Sequence, residues 1–210
     1  MKILVFGASG KVGRLLVEEL LQEGHQVTAF IHKTALFYDD KNLEIISGDI
    51  YSESDVSRAV WESEIVISTL GSWGTKRKDV VSSAMLNIIP AMQEAGVNRI
   101  ITLTGMDAYV QDERHPLLAR ITHSLIKISP ARKILLDGER HIKLLAHSGL
   151  EWTVLRSPIM NKRGKPERYV LSANQPLPLA TINRQSVVKA LAALLIDQKY
   201  YRQSPYIRRK

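Results

Sequence analysis

The N-terminal stretch constrains the fold more than any other part of the chain. Lys2–Phe6 is a short strand-like stretch, apolar after Lys2, Gly7-Ala-Ser-Gly-Lys-Val-Gly13 follows it, and residues 14–21 then repeat apolar side chains at helical spacing. A strand, a glycine-rich turn and an amphipathic helix in that order open a dinucleotide-binding α/β unit. Gly7 and Gly10 allow a sharp turn and a close approach to a phosphate, because no Cβ intervenes. Gly13 allows the helix to pack tightly on the strand. Ser9, Lys11 and Val12 complete the turn, and the first helical N–H groups then face a pyrophosphate. A P-loop is excluded, because Lys11 is followed by Val12 rather than Ser or Thr.

The same alternation continues. Strand-like runs fall at residues 27–31, 43–46, 65–70, 99–104 and 152–156. Helical stretches fall at 52–61, with Ser52 and Asp55 placed as a capping box, at 79–94, with Pro90 inside, and at 131–147. This rhythm predicts one Rossmann-like, doubly wound domain over residues 1–210, its sheet mostly parallel and helices on both faces. Two segments break it: residues 106–130 and 159–181. Both follow the carboxyl ends of strands, where ligands bind in open α/β sheets, so they are expected to wall a substrate site.

Composition narrows the chemistry. The chain has no cysteine, which excludes disulfides, thiolate metal sites and cysteine nucleophiles. Its histidines and acids show no metal-ligand spacing, so no metal is expected. No apolar run is long enough to cross a bilayer, and the start lacks a signal-peptide pattern. The expected location is the cytoplasm, with no membrane partner. The formal charge of +8 suits a polyanionic cofactor as well as nucleic acid, and nucleic acid is the weaker reading.

Five further motifs accompany the glycine turn: Gly48-Asp49-Ile50, Ser68-Thr-Leu-Gly71, Gly96-Val-Asn-Arg-Ile-Ile101, Ser148-Gly-Leu-Glu-Trp-Thr-Val-Leu-Arg-Ser-Pro158 and Ile182-Asn-Arg-Gln-Ser-Val-Val188. Together they resemble the atypical short-chain dehydrogenase/reductases, NAD(P)-binding proteins that include biliverdin/flavin reductases and NmrA-like redox-sensing regulators. In the last motif Ser186 stands where an Asp is usual. The resemblance implies that Asp49 and Ile50 contact the adenine, and that Thr69, Leu70 and Gly71 line the ribose and pyrophosphate. It also implies that Thr104 lies near the nicotinamide, with Ser157, Pro158 and Ile159 along its far side.

Cofactor choice is legible at the end of the second strand. An NAD site wants a carboxylate there for the ribose 2′-hydroxyl, whereas this chain has Ile31-His32-Lys33 and no acid until Asp39. His32 and Lys33 suit a 2′-phosphate, so NADP(H) is expected before NAD(H).

Catalysis is harder to place. The Tyr-x-x-x-Lys pair usual in short-chain dehydrogenases would fall at Ile134 and Gly138, which cannot exchange protons. Tyr206 and Lys210 match the spacing only at the C-terminus and read as a chance match. Thr104 stands near the place of the family's strand-five Ser. Tyr109, Asp107, His115 and His123 are alternative proton donors, and Thr104 and Tyr109 are the catalytic candidates. Two functions remain: an NADP(H)-dependent reductase of a small electrophile such as a quinone or flavin, or a non-catalytic NADP(H) sensor acting through a protein partner.

Overall fold

Strands and helices alternate along the computed structural model, which describes residues 1–32, 37–110, 113–162, 165–166 and 168–210. The elements are β1 (Lys2–Phe6), α1 (Gly13–Gln22), β2 (Gln26–Ile31), β3 (Leu43–Ser47), α2 (Glu53–Val60), β4 (Ile65–Ser68), α3 (Val80–Glu94) and β5 (Arg99–Gly105). They continue with α4 (Leu117–Lys127), α5 (Arg132–Ala146), β6 (Glu151–Ser157), β7 (Ile159–Asn161), β8 (Tyr169–Ser172), β9 (Thr181–Asn183), α6 (Arg184–Ala193) and β10 (Tyr206–Arg209). The main sheet has the order β3-β2-β1-β4-β5-β6-β10-β8 and is parallel except where β8 runs against β10. Its first six strands form the doubly wound arrangement, with the order reversing between β1 and β4.

Helices cover both faces, so the central strands are apolar on both sides. Ile3 and Val5 of β1 enter the core beneath α1 and α6, while Leu4 and Phe6 enter the core beneath α2, α3 and α5. This two-sided burial is why residues 3–6 read as an unbroken apolar run. Ser52 caps α2 by accepting from the Asp55 N–H at 3.3 Å, and α3 continues through Pro90.

Three regions differ from the sequence expectation. Residues 106–130 are not simply a loop, because α4 lies within them. Pro116 precedes its first turn, and Leu117, Ile121 and Leu125 repeat at helical spacing. Residues 159–181 hold β7, β8 and the start of β9. The short strands β7 and β9 pair in a separate two-stranded sheet. The C-terminal residues form β10 in the main sheet, and Tyr206 is buried there beside Arg156.

Candidate cofactor and substrate site

The glycine turn forms a cradle of backbone at the reversal point of the sheet. Gly7 has φ +75°, and a Cβ there would stand 2.9 Å from the Leu70 nitrogen. The Gly10 N–H donates to the Gly7 carbonyl at 2.9 Å. A Cβ on Gly13 would come within 2.2 Å of that same carbonyl, so α1 can start this close to β1 only with glycine there. Thr69 locks the neighbouring strand end, its hydroxyl reaching the carbonyls of Phe6 at 3.1 Å and Gly7 at 3.2 Å.

The helix N-termini at this edge differ in what they leave available. At α3, the Val80 N–H goes to Ser72 Oγ at 3.1 Å, and those of Val81 and Ser82 go to the Asp137 carboxylate at 3.1 and 2.8 Å. At α1, Val12 stands at the N-cap, no side chain caps the helix, and no acid sits in its first turn. A phosphate therefore meets a free positive helix end at α1 and an occupied one at α3. The residues present fit a pyrophosphate over Gly10 to Val12.

The other expected cofactor residues lie along the same edge. Ser9, Lys11 and His32 are exposed, while Lys33 lies outside the described residues. Asp49 accepts from the Tyr51 N–H at 3.0 Å, and Ile50 is buried, its carbonyl bonded to Asn87. Leu70 is half-buried and Gly71 exposed. Ser157 and Pro158 are buried, and Ile159 points to solvent. Thr104 is half-buried. A Cβ on Gly138 would come within 2.7 Å of its Oγ1, so the hydroxyl lies in the room that Gly138 leaves against α5. The position expected for a catalytic Lys is filled by this close helix–strand contact.

The two wall segments meet. His115 Nδ1 lies 3.0 Å from Gln175 Oε1, and Gln175 Nε2 donates to the Met106 carbonyl at 3.3 Å. Beneath that junction the Tyr109 ring is sandwiched between two imidazoles. It is parallel to His115 at 3.4 Å and to His123 at 3.9 Å between centroids. His123 Nε2 is fixed by Glu139 Oε1 at 2.7 Å. Arg156 sits alongside, 1% exposed, held by Glu113 through both terminal guanidinium nitrogens at 2.5 and 2.6 Å and stacked 3.7 Å from the Tyr206 ring.

This cluster is unusual in its unsatisfied groups. Tyr206 Oη is buried without a hydrogen-bond partner among the described residues, while Tyr109 Oη and His115 Nε2 are buried with only loose neighbours, Gln175 beside the phenol and the Glu113 carboxylate 3.5 Å from the imidazole. Buried polar atoms are normally paired with protein or ordered water, so three such under-satisfied atoms in one cluster leave hydrogen-bonding capacity that polar atoms from outside the chain can take up. Burial pushes the phenols of Tyr109 and Tyr206 up and the His115 imidazole down, and it raises the Asp107 carboxyl. Tyr109 is therefore a protonated donor at neutral pH.

Sequence reasoning placed Tyr109, His115, His123 and Asp107 together, did not single out Glu113 or Arg156, and read Tyr206 only as a chance spacing match, whereas its ring is buried on Arg156 in this cluster. Arg156 carried the available signal: a charge inside an apolar strand must be paired when buried. The Tyr206–Lys210 spacing has no helical meaning, since on extended chain the two are about 13 Å apart. Two buried groups on α5 were also unforeseen. Asp137 caps α3, and His141 is wholly buried with Nε2 2.8 Å from Thr102 Oγ1.

Comparison with known proteins agrees with this geometry. A family model described as NAD(P)H-binding matches residues 7–198. An isoflavone reductase homolog A622-like protein of Nicotiana tabacum is 28% identical over 149 residues, 65% of this chain and 45% of that protein. The photosystem II assembly factor Ycf39 of Synechocystis is 23% identical over 213 residues, 94% of this chain and 59% of that protein. The chain thus spans about half the length of these curated relatives. Among solved structures, a Veillonella parvula short-chain dehydrogenase/reductase in complex with NADP superposes with a TM-score of 0.79 at 21% identity, covering 98% of this chain and 93% of that one. The anaerobillin reductase ChuY of Escherichia coli O157:H7 gives 0.77 at 20% identity, covering 100% and 97%. At such identities these two structures speak for the fold alone.

Proposed function

This chain belongs to the NAD(P)H-binding family, and we propose that within it the protein is an NADP(H)-dependent reductase of a small conjugated electrophile, such as a quinone or flavin. One observation carries the proposal. Tyr109, His115 and Tyr206 turn under-satisfied polar atoms into one buried cluster at the junction of the two walls, next to the strand ends that border the cofactor cradle. What supports the reading is that the spare hydrogen-bonding capacity of three side chains is concentrated at one place, where the two expected substrate walls meet.

When bound, a reduced nicotinamide supplies the hydride. The protein's own task is to hold the acceptor and furnish a proton. The Tyr109 hydroxyl keeps its proton at neutral pH, because burial raises its pKa, and donates it to the oxygen of the acceptor. His115 and His123 hold the phenol ring between them, and Glu139 fixes His123. Arg156 stays with Glu113 and supports Tyr206 rather than the acceptor. Thr104, turned toward Gly138, borders the cofactor without a proton role. His32, with Lys33, favours NADP(H), since no acid at the end of β2 repels a 2′-phosphate.

Purified protein assayed with NADPH and NADH against quinones, flavins and aldehydes tests the reading. Turnover should favour NADPH, and Tyr109→Phe should lower kcat about a hundredfold with cofactor affinity unchanged. Replacing His32 and Lys33 by Ala should weaken NADP(H) about tenfold and leave NAD(H) nearly untouched. No turnover with any acceptor would sink the reductase reading. It would favour instead a cofactor sensor acting through a protein partner, the reading that Ile134 and Gly138 support by replacing the usual proton-transfer pair.

A further inference from the structure

α4 presents a broad apolar face to solvent. Leu117, Leu118, Ile121, Leu125 and Ile128 are between 48% and 85% exposed. At 3.6 residues per turn they fall within one arc of about 100°. Ala119 and His123, which are buried, occupy the opposite side, against α5. Arg120 and Lys127 stand on a third side, both exposed.

The exposed charge on this segment is basic, and the acids beside it, Glu113 and Glu139, are turned to Arg156 and His123. Residues 114–136 contain five Lys or Arg (Arg114, Arg120, Lys127, Arg132 and Lys133), all exposed, and no Asp or Glu. None of the five is paired with an acid among the described residues. The segment carrying Leu177 and Leu179, both more than three-quarters exposed, joins the chain just before α4 through the Gln175–His115 contact.

From this juxtaposition we propose that α4 is a membrane-surface helix, seating its apolar arc among the lipids of an anionic bilayer with the cations beside it on the headgroups. Aliphatic side chains on one face and Lys or Arg next to them are what interfacial helices display. Exposed apolar patches of this extent mark an interaction site. Charge complementarity selects the occupant. A second copy of this chain would bring five cations against five across a symmetric interface, whereas anionic headgroups neutralise them. No helix of the described residues is long and apolar enough to cross a membrane, and a surface-lying helix has no need to be.

The test is sedimentation of the full chain, without cofactor, on vesicles of phosphatidylcholine alone and of phosphatidylcholine with added phosphatidylglycerol. The protein should bind the anionic vesicles, release in high salt, and ignore the neutral ones. Ile121→Glu with Leu125→Glu should cut vesicle binding about tenfold or more, and so should Arg120→Ala with Lys127→Ala. All four side chains are exposed, so thermal melts should not move, and NADPH affinity should stay within about twofold since the cradle lies at β1 and α1. The proposal is overturned if the native protein ignores anionic vesicles, or if the Glu variant binds them as well as the native chain. It is also overturned if light scattering shows a dimer that the Glu variant abolishes while vesicles are ignored. Because the assay contains no nicotinamide and reads no turnover, its outcome is independent of the reductase proposal.

Discussion

The two halves of the sheet build their sites from different material. At β1 and β4 the cradle is backbone: glycine carbonyls and amides, a helix end without a cap, and one Thr hydroxyl tying two strand ends together. At β5, β6 and β10 the site is side chains: a phenol between two imidazoles, a carboxylate on a guanidinium, and a second phenol beneath it. A backbone site tolerates almost no added atoms but asks little of its neighbours. A side-chain cluster tolerates adjustment, and depends instead on each partner satisfying the next.

The sharpest way to break that contrast is to add one methyl group to each half. In Gly13→Ala the new Cβ meets the Gly7 carbonyl and the Ala8 Cα, which are backbone and cannot yield without moving α1 off β1. Overpacking of that kind should cost about 3–4 kcal/mol and remove cofactor binding. In Gly138→Ala the new Cβ meets the Thr104 hydroxyl and the Ala108 methyl, and the Thr side chain can rotate. The helix also gains about 1 kcal/mol from the replacement of glycine by alanine, so the net change should be under about 1 kcal/mol. Denaturant melts of the two variants decide it. Equal losses would mean that α5 is held against β5 as rigidly as α1 is held against β1.

That difference in material also explains what the sequence made legible. The cradle was readable because its determinants lie within one strand, one turn and one helix start, and glycine has few other reasons to recur at such spacing. The mostly parallel sheet with helices on both faces followed from the alternating rhythm. The side-chain cluster was half readable: Tyr109, His115 and His123 are close in sequence, but Tyr206 meets Arg156 only through the pairing of β6 with β10, and Glu113 meets Arg156 only across the fold. α4 was hidden because its apolar residues face outward, so its pattern did not announce a core-facing element. β10 was hidden because the strand is short and half of it is basic and exposed, and its burial is confined to Tyr206 and Ile207.

pH separates the halves next. His141, between α5 and β5, is wholly buried with its Nδ1 unpartnered, and burial holds its pKa down at about 4, with Asp137 opposing. Above the ordinary imidazole value of about 6.5 the residue is neutral folded or unfolded, and pH has no leverage through it. As pH falls below that value the unfolded chain binds a proton that the folded chain refuses. Stability is therefore lost progressively until about pH 4, below which the loss is constant. The linkage amounts to about 3 kcal/mol at the acid end. Urea midpoints should fall steeply for the native chain as pH is lowered from 7 to 4, and less steeply for His141→Gln. Identical slopes would show that the imidazole is protonated within the fold, and that this half of the core is more open to water than its geometry indicates.

The finest test leaves shape unchanged and removes one charge. Glu113→Gln keeps an acceptor beside Arg156 but leaves the guanidinium, 1% exposed, without its counter-ion. Breaking a fully buried pair costs about 3–5 kcal/mol. The Glu113 side chain is 25% exposed, and both the amide oxygen of Gln and the Ser204 carbonyl still accept from Arg156, so about 2 kcal/mol is expected here. Tyr206 should feel the change, because its ring rests on that guanidinium, and Tyr109 should feel it through the His115–Glu113 contact of 3.5 Å. The cradle should not, since no hydrogen bond runs from Glu113 or Arg156 to Gly7, Gly10, Gly13 or Thr69 among the described residues. Calorimetry of NADPH binding should therefore give the native affinity within about twofold, while the melting temperature falls and turnover of the acceptor drops. If cofactor affinity fell in step with stability, the halves would be one coupled unit. The division between a backbone cradle and a side-chain cluster would then describe only how the two were built, not how they work.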